Sequence, residues 1–306
     1  MVRRITVESE YAGQRVDNFL MTQLKGVPRS RIYSMVRKGE VRVNKGRVKA
    51  NYRLVPGDNI RVPPVITAQR DPRNVSLGLI EQLENAIVYE DDRLLIIDKP
   101  SGIAVHGGSG VSHGVIEAFR QSENKRHYLE LVHRIDRETS GCLILAKRRS
   151  ALRALHAQLR DSLLTKRYIA LVAGQWPQDH RRISYPLKKN VLKSGERIVT
   201  VDKEGKEAMS IFDIKERYAK ATLMQIDVIT GRTHQIRVHA AHHGFPLAGD
   251  IKYGDPESNT VFKQLGLKRL FLHATYIGFS HPNTEERMHV SAPLPESLQK
   301  VLGKLD

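Results

Sequence analysis

Asp136 is a carboxylate that lies between two arginines, in a polar segment where its charge can serve chemistry. The segment reads His133-Arg134-Ile135-Asp136-Arg137-Glu138-Thr139-Ser140-Gly141. An ionised carboxylate beside cations is suited to act as a nucleophile or as a base. Taken alone, the same pattern is more typical of a surface loop with a solvated ion pair. The case for Asp136 therefore depends on the elements around it and on the rest of the chain.

Two apolar runs flank this segment and predict the frame that positions Asp136. The run 129–132 precedes it and the run 142–146 follows it, and apolar runs of this length predict strands. The Ser-Gly pair and the charge cluster between them predict a loop. A loop held between two strands is a common position for catalytic groups.

Length and composition indicate a globular chain with a main domain and a smaller one. The chain has 306 residues, of which 40% are hydrophobic and 27% are charged. No apolar run approaches the length of a membrane span, and the N-terminus lacks the apolar core of a signal peptide. The single cysteine, Cys142, excludes an internal disulfide and fits the reducing cytoplasm.

Positive charge is concentrated in one N-terminal segment. The whole chain carries a net charge of +17, and residues 13–62 contain twelve Lys or Arg against three Asp or Glu, a net +9. Concentrated charge of one sign in a folded segment is typical of a protein that binds a polyanion. These basic residues do not stand opposite a large apolar face, so nucleic acid is favoured over a membrane surface.

The same segment has the pattern of a small RNA-binding module. Helical spacing predicts two helices, around residues 16–24 and 30–38, and alternation predicts strands at 41–44 and 60–62. The order of elements and the stretches Arg15-Val16-Asp17, Ser30-Arg31, 39–44 and Gly57-Asp58 resemble the αL RNA-binding module. The alternative is a basic minidomain whose charge only keeps it soluble. The candidate RNA-binding residues are Arg29, Arg31, Arg37, Lys38, Arg42 and Lys45.

The remaining chain is predicted to be a linker and one large α+β domain. The module is assigned to residues 1–62, with its core at 13–62, a proline-containing linker to 63–85, and the large domain to 86–306. Short strand signals recur through the large domain, and helical patterns interrupt them at 151–164, at 233–243 and near the C-terminus. Strands and helices do not alternate strictly, so a mixed, mainly antiparallel sheet is predicted.

Four motifs in the large domain, in this order and spacing, resemble the RluA-type pseudouridine synthases. They are Asp98-Lys99-Pro100-Ser101-Gly102 with His106-Gly107-Gly108, then His133–Gly141, then Lys166–Val172, and finally Gly231-Arg232-Thr233-His234-Gln235-Ile236-Arg237-Val238-His239. One departure is Ile135, where the family usually has Leu, and this exchange preserves volume and polarity. Lys99 and His106 are candidates for contacts with RNA phosphate.

The resemblance implies both a reaction and a set of site residues. The expected fold is that of the pseudouridine synthases, and the expected activity isomerises uridine to pseudouridine at several positions of bacterial large-subunit (23S) ribosomal RNA or of its assembly intermediate. Asp136 is the expected nucleophile or base on a flipped uridine. Arg237 is expected to keep it ionised, Arg134 to occupy the space that the base leaves, Tyr168 to stack and transfer protons, and Ile236 to form an apolar wall. The resemblance implies no cofactor and no metal, and we expect a cytoplasmic monomer with no membrane partner.

Four alternatives compete with parts of this interpretation. His239, His242 and His243 lie on one predicted helix at a spacing that suits zinc, although no carboxylate or cysteine at ligand spacing completes the set. Tyr168 is also compatible with a core position at the start of a strand. For the whole chain, the alternatives are a non-catalytic ribosome-assembly factor that binds RNA and, more weakly, an RNA hydrolase, which usually has a metal-binding carboxylate cluster.

Overall fold

The structure is a computed structural model that describes residues 2–24, 26–65, 75–107, 113–124, 126, 128–178, 181–191 and 197–305. Gly108 of the first motif and the middle of the predicted linker, 66–74, lie outside the described residues. The chain divides into two compact units, Met1–Asn74 and Val75–Asp306.

The N-terminal unit consists of two helices and a small antiparallel sheet. Its elements are strand β1 (Arg3–Thr6), a 3-10 turn (Ser9–Tyr11), helices α1 (Val16–Gln23) and α2 (Arg29–Arg37), and strands β2 (Arg42–Val43) and β3 (Asn59–Val62). The strand order is β1-β3-β2. Phe19, Leu20, Ile32, Met35 and Ile60 are fully buried in one core, because the apolar residues of both helices follow helical spacing. The predicted helices and strands are present, and β1 is an additional strand that the sequence pattern did not predict.

The C-terminal unit begins with a helix inside the segment predicted as a linker. Helix α3 (Leu77–Glu84) has Ser76 as its N-cap and buries Leu83 in the main core of this unit. The prediction of a linker as far as residue 85 is therefore wrong for its last part, because Leu83 packs with the residues of the large domain.

A ten-stranded sheet forms the body of this unit, as predicted for an α+β fold. Eight strands follow the order β4-β5-β7-β14-β8-β13-β12-β9, while β6 pairs with β7 and β15 with β14. Among the described residues, the strand pairs of this sheet are antiparallel except for β7 with β14, which are parallel. A separate hairpin pairs β10 with β11. The strands are β4 (Ile87–Glu90), β5 (Leu94–Lys99), β6 (Glu130–Leu131), β7 (Ser140–Ala146), β8 (Thr165–Ala173), β9 (Arg182–Ser184), β10 (Leu187–Val191), β11 (Arg197–Val201), β12 (Met209–Tyr218), β13 (Ala221–Val228), β14 (Leu272–Ser280) and β15 (Arg287–Ser291).

Helices cover both faces of the sheet around β5 and β7. The helices are α4 (Val115–Gln121), α5 (Arg149–Arg160), α6 (Gln235–His242), α7 (Pro256–Gln264) and α8 (Glu296–Leu302). Leu143 and Leu145 pack with Phe119 of α4, whereas Cys142 and Ile144 pack with residues of α5 on the opposite face. Side chains alternate between the two faces of a strand, so a strand covered on both faces is apolar throughout. The continuous apolar runs of β5 and β7 in the sequence have this origin.

Candidate active site

The loop that carries Asp136 connects two paired strands, as the flanking apolar runs predict. β6 and β7 pair antiparallel, with Leu131 opposite Leu145. The two ends of the loop are therefore fixed by the sheet. Within the loop, the Thr139 amide donates a hydrogen bond to the Asp136 carbonyl over 3.1 Å and closes a turn at the carboxylate residue.

Two residues of the first motif, Lys99 and Ser101, hold this loop through hydrogen bonds to its backbone. The Lys99 ammonium donates hydrogen bonds to the carbonyl oxygens of Pro100, Ile103 and Arg137 at 2.7, 2.9 and 3.1 Å. The Ser101 hydroxyl donates to the Glu138 carbonyl over 2.6 Å. Lys99 is fully buried, so the suggestion that it contacts RNA phosphate is wrong. The three carbonyls use the three donors of its ammonium group.

Two further contacts fix the loop at its ends. Nε2 of His133 accepts a hydrogen bond from the Ile144 amide over 3.1 Å. Burial lowers the pKa of His133 to about 3, so its ring is neutral and can accept this bond. Gly141 has a φ of +111°, and a Cβ at this position would lie 2.2 Å from the Ala274 carbonyl oxygen. Glycine is required here because the β7 and β14 backbones approach so closely.

Arg237 lies on the first turn of α6 and is held by a buried carboxylate. Its Nε and Nη2 donate to the two oxygens of Asp250 at 2.7 and 2.8 Å. The amides of Lys252 and Tyr253 also donate to Oδ1 of Asp250, at 2.9 and 3.0 Å. Burial acts to raise the pKa of Asp250, but the bonds and charge of Arg237 hold this pKa below its usual value. The guanidinium is therefore fixed in place by a charge-assisted pair.

The remaining nitrogen of Arg237 faces Asp136. Nη1 of Arg237 lies 3.5 Å from Oδ2 of Asp136, and Nε2 of His234 lies 3.9 Å from Oδ1. Each oxygen of the Asp136 carboxylate thus has a nitrogen on its side. The Asp136 side chain is 24% exposed, so solvent and ligands can reach it. A cation at this distance attracts a carboxylate electrostatically.

The five residues predicted for the active site line one cavity of about 1030 Å³. Asp136 and Arg134 come from the loop, Tyr168 from β8, and Ile236 and Arg237 from α6. Three segments that are distant in the sequence therefore meet at this cavity. The volume is at the upper end of the range for ligand pockets, about 300–1,000 Å³, and gives room for more than a single small group.

The five residues differ in how exposed they are. Arg134 is exposed, whereas Tyr168 and Ile236 are buried and pack with the main core while also lining the cavity. Burial raises the pKa of the Tyr168 hydroxyl well above its usual value, and the charge of Asp136 adds to this shift. The phenol is therefore protonated at neutral pH. The buried position of Tyr168 is compatible with a role in the cavity, because its ring packs with the core and also lines the cavity.

Lys166 is a further cation of the cavity lining. Its side chain is half-buried, and burial lowers its pKa. Within the described ranges, no carboxylate or hydrogen-bond acceptor partners its side chain. A half-buried cation without a partner is stabilised when a ligand supplies the counter-charge. The arrangement favours an anionic ligand.

The three histidines considered above as an alternative zinc site are engaged in other contacts. His239 is fully buried, and its two ring nitrogens bond to the Ser210 hydroxyl and the Tyr185 carbonyl at 3.2 and 3.1 Å. The His242 ring packs edge-on against the Tyr185 ring, and the His243 ring lies 5.2 Å from the Trp176 ring. No group of three or more His, Cys, Asp or Glu among the described residues is arranged to hold a metal ion.

The candidate RNA-binding residues of the N-terminal unit lie on α2 and on the strand and turn that follow it. All six side chains, Arg29, Arg31, Arg37, Lys38, Arg42 and Lys45, are exposed. Arg31 also forms an ion pair with Glu40 at 2.7 Å, which leaves less of its charge available to a partner than the others have. None of the described helices is long and apolar enough to cross a membrane.

Comparison with known proteins identifies the family of this chain. Its residues 93–242 match the model of the RNA pseudouridylate synthase family, and residues 14–60 match the S4 domain. A protein of Pasteurella multocida (strain Pm70), named ribosomal large subunit pseudouridine synthase C, is 53% identical over 306 residues, which cover 99% of this chain and 94% of the relative. The chain belongs to the RluA-type pseudouridine synthases.

Other relatives of this synthase agree in sequence and in fold. A protein of Escherichia coli (strain K12) with the same name is 52% identical over 308 residues and is covered to 97%. The solved structure of human RNA pseudouridylate synthase domain containing 4 aligns with a TM-score of 0.61 at 23% identity, over 75% of this chain and 97% of that one. The S4 match corresponds to the predicted αL module, and the structural match confirms the predicted α+β fold of the synthase.

Three residues of the site have structural roles that the sequence analysis did not predict. Asp250 holds Arg237, and Tyr253 lies beneath the Arg237 guanidinium, with its ring centre 5.0 Å from Cζ. His234 belongs to the fourth motif, and the resemblance implied no role for it. The stretch 249–254, Gly-Asp-Ile-Lys-Tyr-Gly, is the only sequence signal for the first two, since two glycines around an acid indicate a tight turn.

Proposed function

We propose that this chain converts uridine to pseudouridine at several positions of bacterial 23S ribosomal RNA, with Asp136 as the nucleophile or base. The meeting of Asp136, Tyr168 and Arg237 in one cavity is the observation that carries the proposal. The substrate class follows from the relatives named ribosomal large subunit pseudouridine synthase C. We further propose that the protein acts in the cytoplasm, as a monomer, without a cofactor.

The reaction is an isomerisation that this set of residues can support. The bond between N1 of the base and C1′ of the sugar breaks, the base turns, and a bond forms between C5 and C1′. The C5 proton leaves and N1 gains a proton, so no oxidant, metal or energy source is needed. Asp136 acts on the nucleotide as an anion, and Arg237 stabilises that anion. Tyr168 takes part as a neutral phenol.

The target base must leave its stack before Asp136 can reach the nucleotide. Enzymes that act on a base turn it out of the helix into a pocket. Arg134 is exposed beside Asp136 and is suited to fill the space that the base leaves. The ring of Tyr168 and the side chain of Ile236 offer apolar surface to the flipped base, and Lys166 offers its charge to a phosphate.

Pseudouridine mapping in bacteria tests this function directly. The 23S RNA of cells that lack this chain is expected to lose pseudouridine at specific positions, and a plasmid copy is expected to restore them. A non-catalytic assembly factor would leave all positions modified in the deletion strain. The site favours the enzyme over that alternative, because binding alone does not require Asp136, Tyr168 and Arg237 together.

Deletion of the S4 domain is expected to weaken RNA binding and to reduce its dependence on salt. Each lost phosphate contact removes about 0.7–0.9 from the slope of log affinity against log salt. A chain of residues 75–306 retains its own cores and is expected to fold. Activity on short RNA is expected to persist in part, whereas selection of the correct uridines in 23S RNA is expected to suffer more.

A second variant, measured in the same binding experiment, can contradict the role of the module as RNA anchor. Exchange of Arg29, Arg37, Lys38, Arg42 and Lys45 for Gln in the full chain provides the matched variant, since it removes charge from exposed positions and leaves the domain core intact. Unchanged affinity and salt slope in both variants would mean that the module is not the RNA anchor.

Chelation is expected to leave activity unchanged. Both ring nitrogens of His239 are engaged in hydrogen bonds, so the histidines of α6 are not set up as a zinc site. Turnover of a uridine-containing RNA is measured before and after dialysis against EDTA. Loss of turnover that zinc restores would contradict the proposal and would assign a metal to α6.

A further inference from the structure

His234 has a left-handed backbone conformation at the start of α6, although its side chain does not cap the helix. It is the N-cap of α6, with φ 53° and ψ 22° in the left-handed region, and its side chain makes no cap hydrogen bond. A residue other than glycine in this region costs about 1–3 kcal/mol, and such residues are concentrated at functional sites. The conformation sends the imidazole to Tyr253 on one side and to Asp136 on the other.

The contact with Tyr253 favours one tautomer of the His234 ring. Its hydroxyl oxygen lies 2.7 Å from Nδ1 of His234 and accepts a hydrogen bond from the Val199 amide at 3.0 Å. The phenolic hydrogen is then free to point at Nδ1, which accepts it. Burial lowers the pKa of His234, so the ring is neutral at neutral pH. A neutral ring with Nδ1 as acceptor has its only N–H at Nε2.

That N–H lies on the side of Asp136 that Arg237 does not cover. Nε2 of His234 is 3.9 Å from Oδ1 of Asp136, and Nη1 of Arg237 is 3.5 Å from Oδ2. A separation of 3.9 Å is too long for a hydrogen bond. Hydrogen bonds in catalytic sites are often long without substrate and shorten when the substrate binds. Asp250 holds Arg237 bidentately, so a shorter contact between His234 and Asp136 leaves the position of Arg237 unchanged.

We propose that His234 is a positioning residue for Asp136. Tyr253 orients the neutral imidazole of His234, and Nε2 of this ring donates a hydrogen bond to Oδ1 of Asp136. The inference rests on the proposed function of Asp136 and extends it. With both oxygens of the carboxylate oriented, one lone pair of Asp136 is directed at the nucleotide. The cation Arg237 attracts the carboxylate across 3.5 Å, and His234 fixes its rotation without adding a second charge.

The glycine variant tests the proposal, because glycine accepts the left-handed conformation without strain. His234→Gly is expected to lower kcat on a short RNA by about 10- to 100-fold, the range for loss of one hydrogen bond to a charged group. The KM for RNA is expected to change less than twofold. Added imidazole is expected to restore several-fold of the lost kcat in this variant and none in Asp136→Asn.

Two further variants separate positioning from a structural role. Tyr253→Phe keeps the ring beneath Arg237 and removes the hydroxyl, so it is expected to lower kcat about threefold to tenfold in the wild-type background and not at all in His234→Gly. His289→Ala is the matched control, because His289 makes the same tyrosine contact, 2.6 Å to Tyr276, on an exposed strand outside the cavity. It is expected to leave kcat unchanged.

The ring nitrogens of His234 provide a readout that does not depend on activity. In ¹⁵N-labelled wild-type protein at neutral pH, NMR is expected to give a protonated Nε2 and an unprotonated Nδ1, and Tyr253→Phe is expected to change this ratio. A proton on Nδ1, an unchanged kcat in His234→Gly, or a loss that imidazole does not restore would each overturn the proposal. A wild-type protein without turnover would instead contradict the proposed function.

Discussion

Asp136→Asn is expected to abolish pseudouridine formation while leaving the fold and RNA binding intact. The amide has the size of the carboxylate but neither its charge nor its nucleophilicity. We expect kcat to fall by more than about 10⁴-fold, since loss of a nucleophile exceeds the roughly 10²–10⁴-fold that one acid–base group contributes. The measurement is tritium release or pseudouridine content after single turnover on a short RNA.

A matched control distinguishes the chemistry of Asp136 from a general effect of lost charge. Asp92 is exposed between β4 and β5 and does not line the cavity. Asp92→Asn makes the same chemical change and is expected to keep full activity. Substantial turnover by Asp136→Asn, with Asp92→Asn equal to wild type, would refute the assignment of Asp136.

The position of Asp136 could be predicted because local patterns determine it. The apolar runs before and after the loop become β6 and β7, and a strand pair fixes the ends of whatever connects it. Ser140 and Gly141 mark the end of the loop in the sequence. The structure adds the reason for this glycine, a backbone contact with Ala274 of β14 that is 133 residues distant.

The supporting residues could not be predicted because their roles arise only when distant segments meet. Lys99 is a charged residue at the end of a strand, which suggests exposure, but three backbone carbonyls surround its ammonium group. Asp250 follows Arg237 by 13 residues, and no periodicity or motif connects the two. His234 is in a quoted motif, but neither its left-handed backbone nor its tautomer can be inferred from residue types.

The sequence patterns did not predict helix α3 or the hairpin of β10 and β11, for a different reason. Helix α3 has eight residues, includes Gly78 and buries one side chain, so its helical period is too brief to recognise. Strand β10 contains Lys188, Lys189 and Asn190, which have low strand propensity. It is a strand because it pairs with β11, and its composition alone does not indicate this. Continuous apolar runs such as β7 were predicted because burial on both faces leaves a strong signal.

Arg237→Met is expected to remove most activity and, separately, to destabilise the catalytic domain. Activity falls because Asp136 loses its cation, and we expect kcat to decrease by about 10²-fold or more, the size of one strong electrostatic contribution. Stability falls because Asp250 remains buried without a counter-charge, which costs roughly 3–5 kcal/mol. The measurements are kcat on a short RNA and the free energy of unfolding in guanidinium chloride.

The double variant Arg237→Met/Asp250→Asn separates these two effects. The second change removes the uncompensated charge, so we expect most of the lost stability to return while kcat stays low. Arg15→Met provides the matched control, because Arg15 and the buried Asp17 form a similar two-contact pair, at 3.1 and 2.6 Å, in the S4 domain. It is expected to destabilise that domain and to leave kcat on short RNA close to wild type. If the double variant regained activity together with stability, Arg237 would serve only to satisfy Asp250, and the cation that acts on Asp136 would have to be another residue of the cavity.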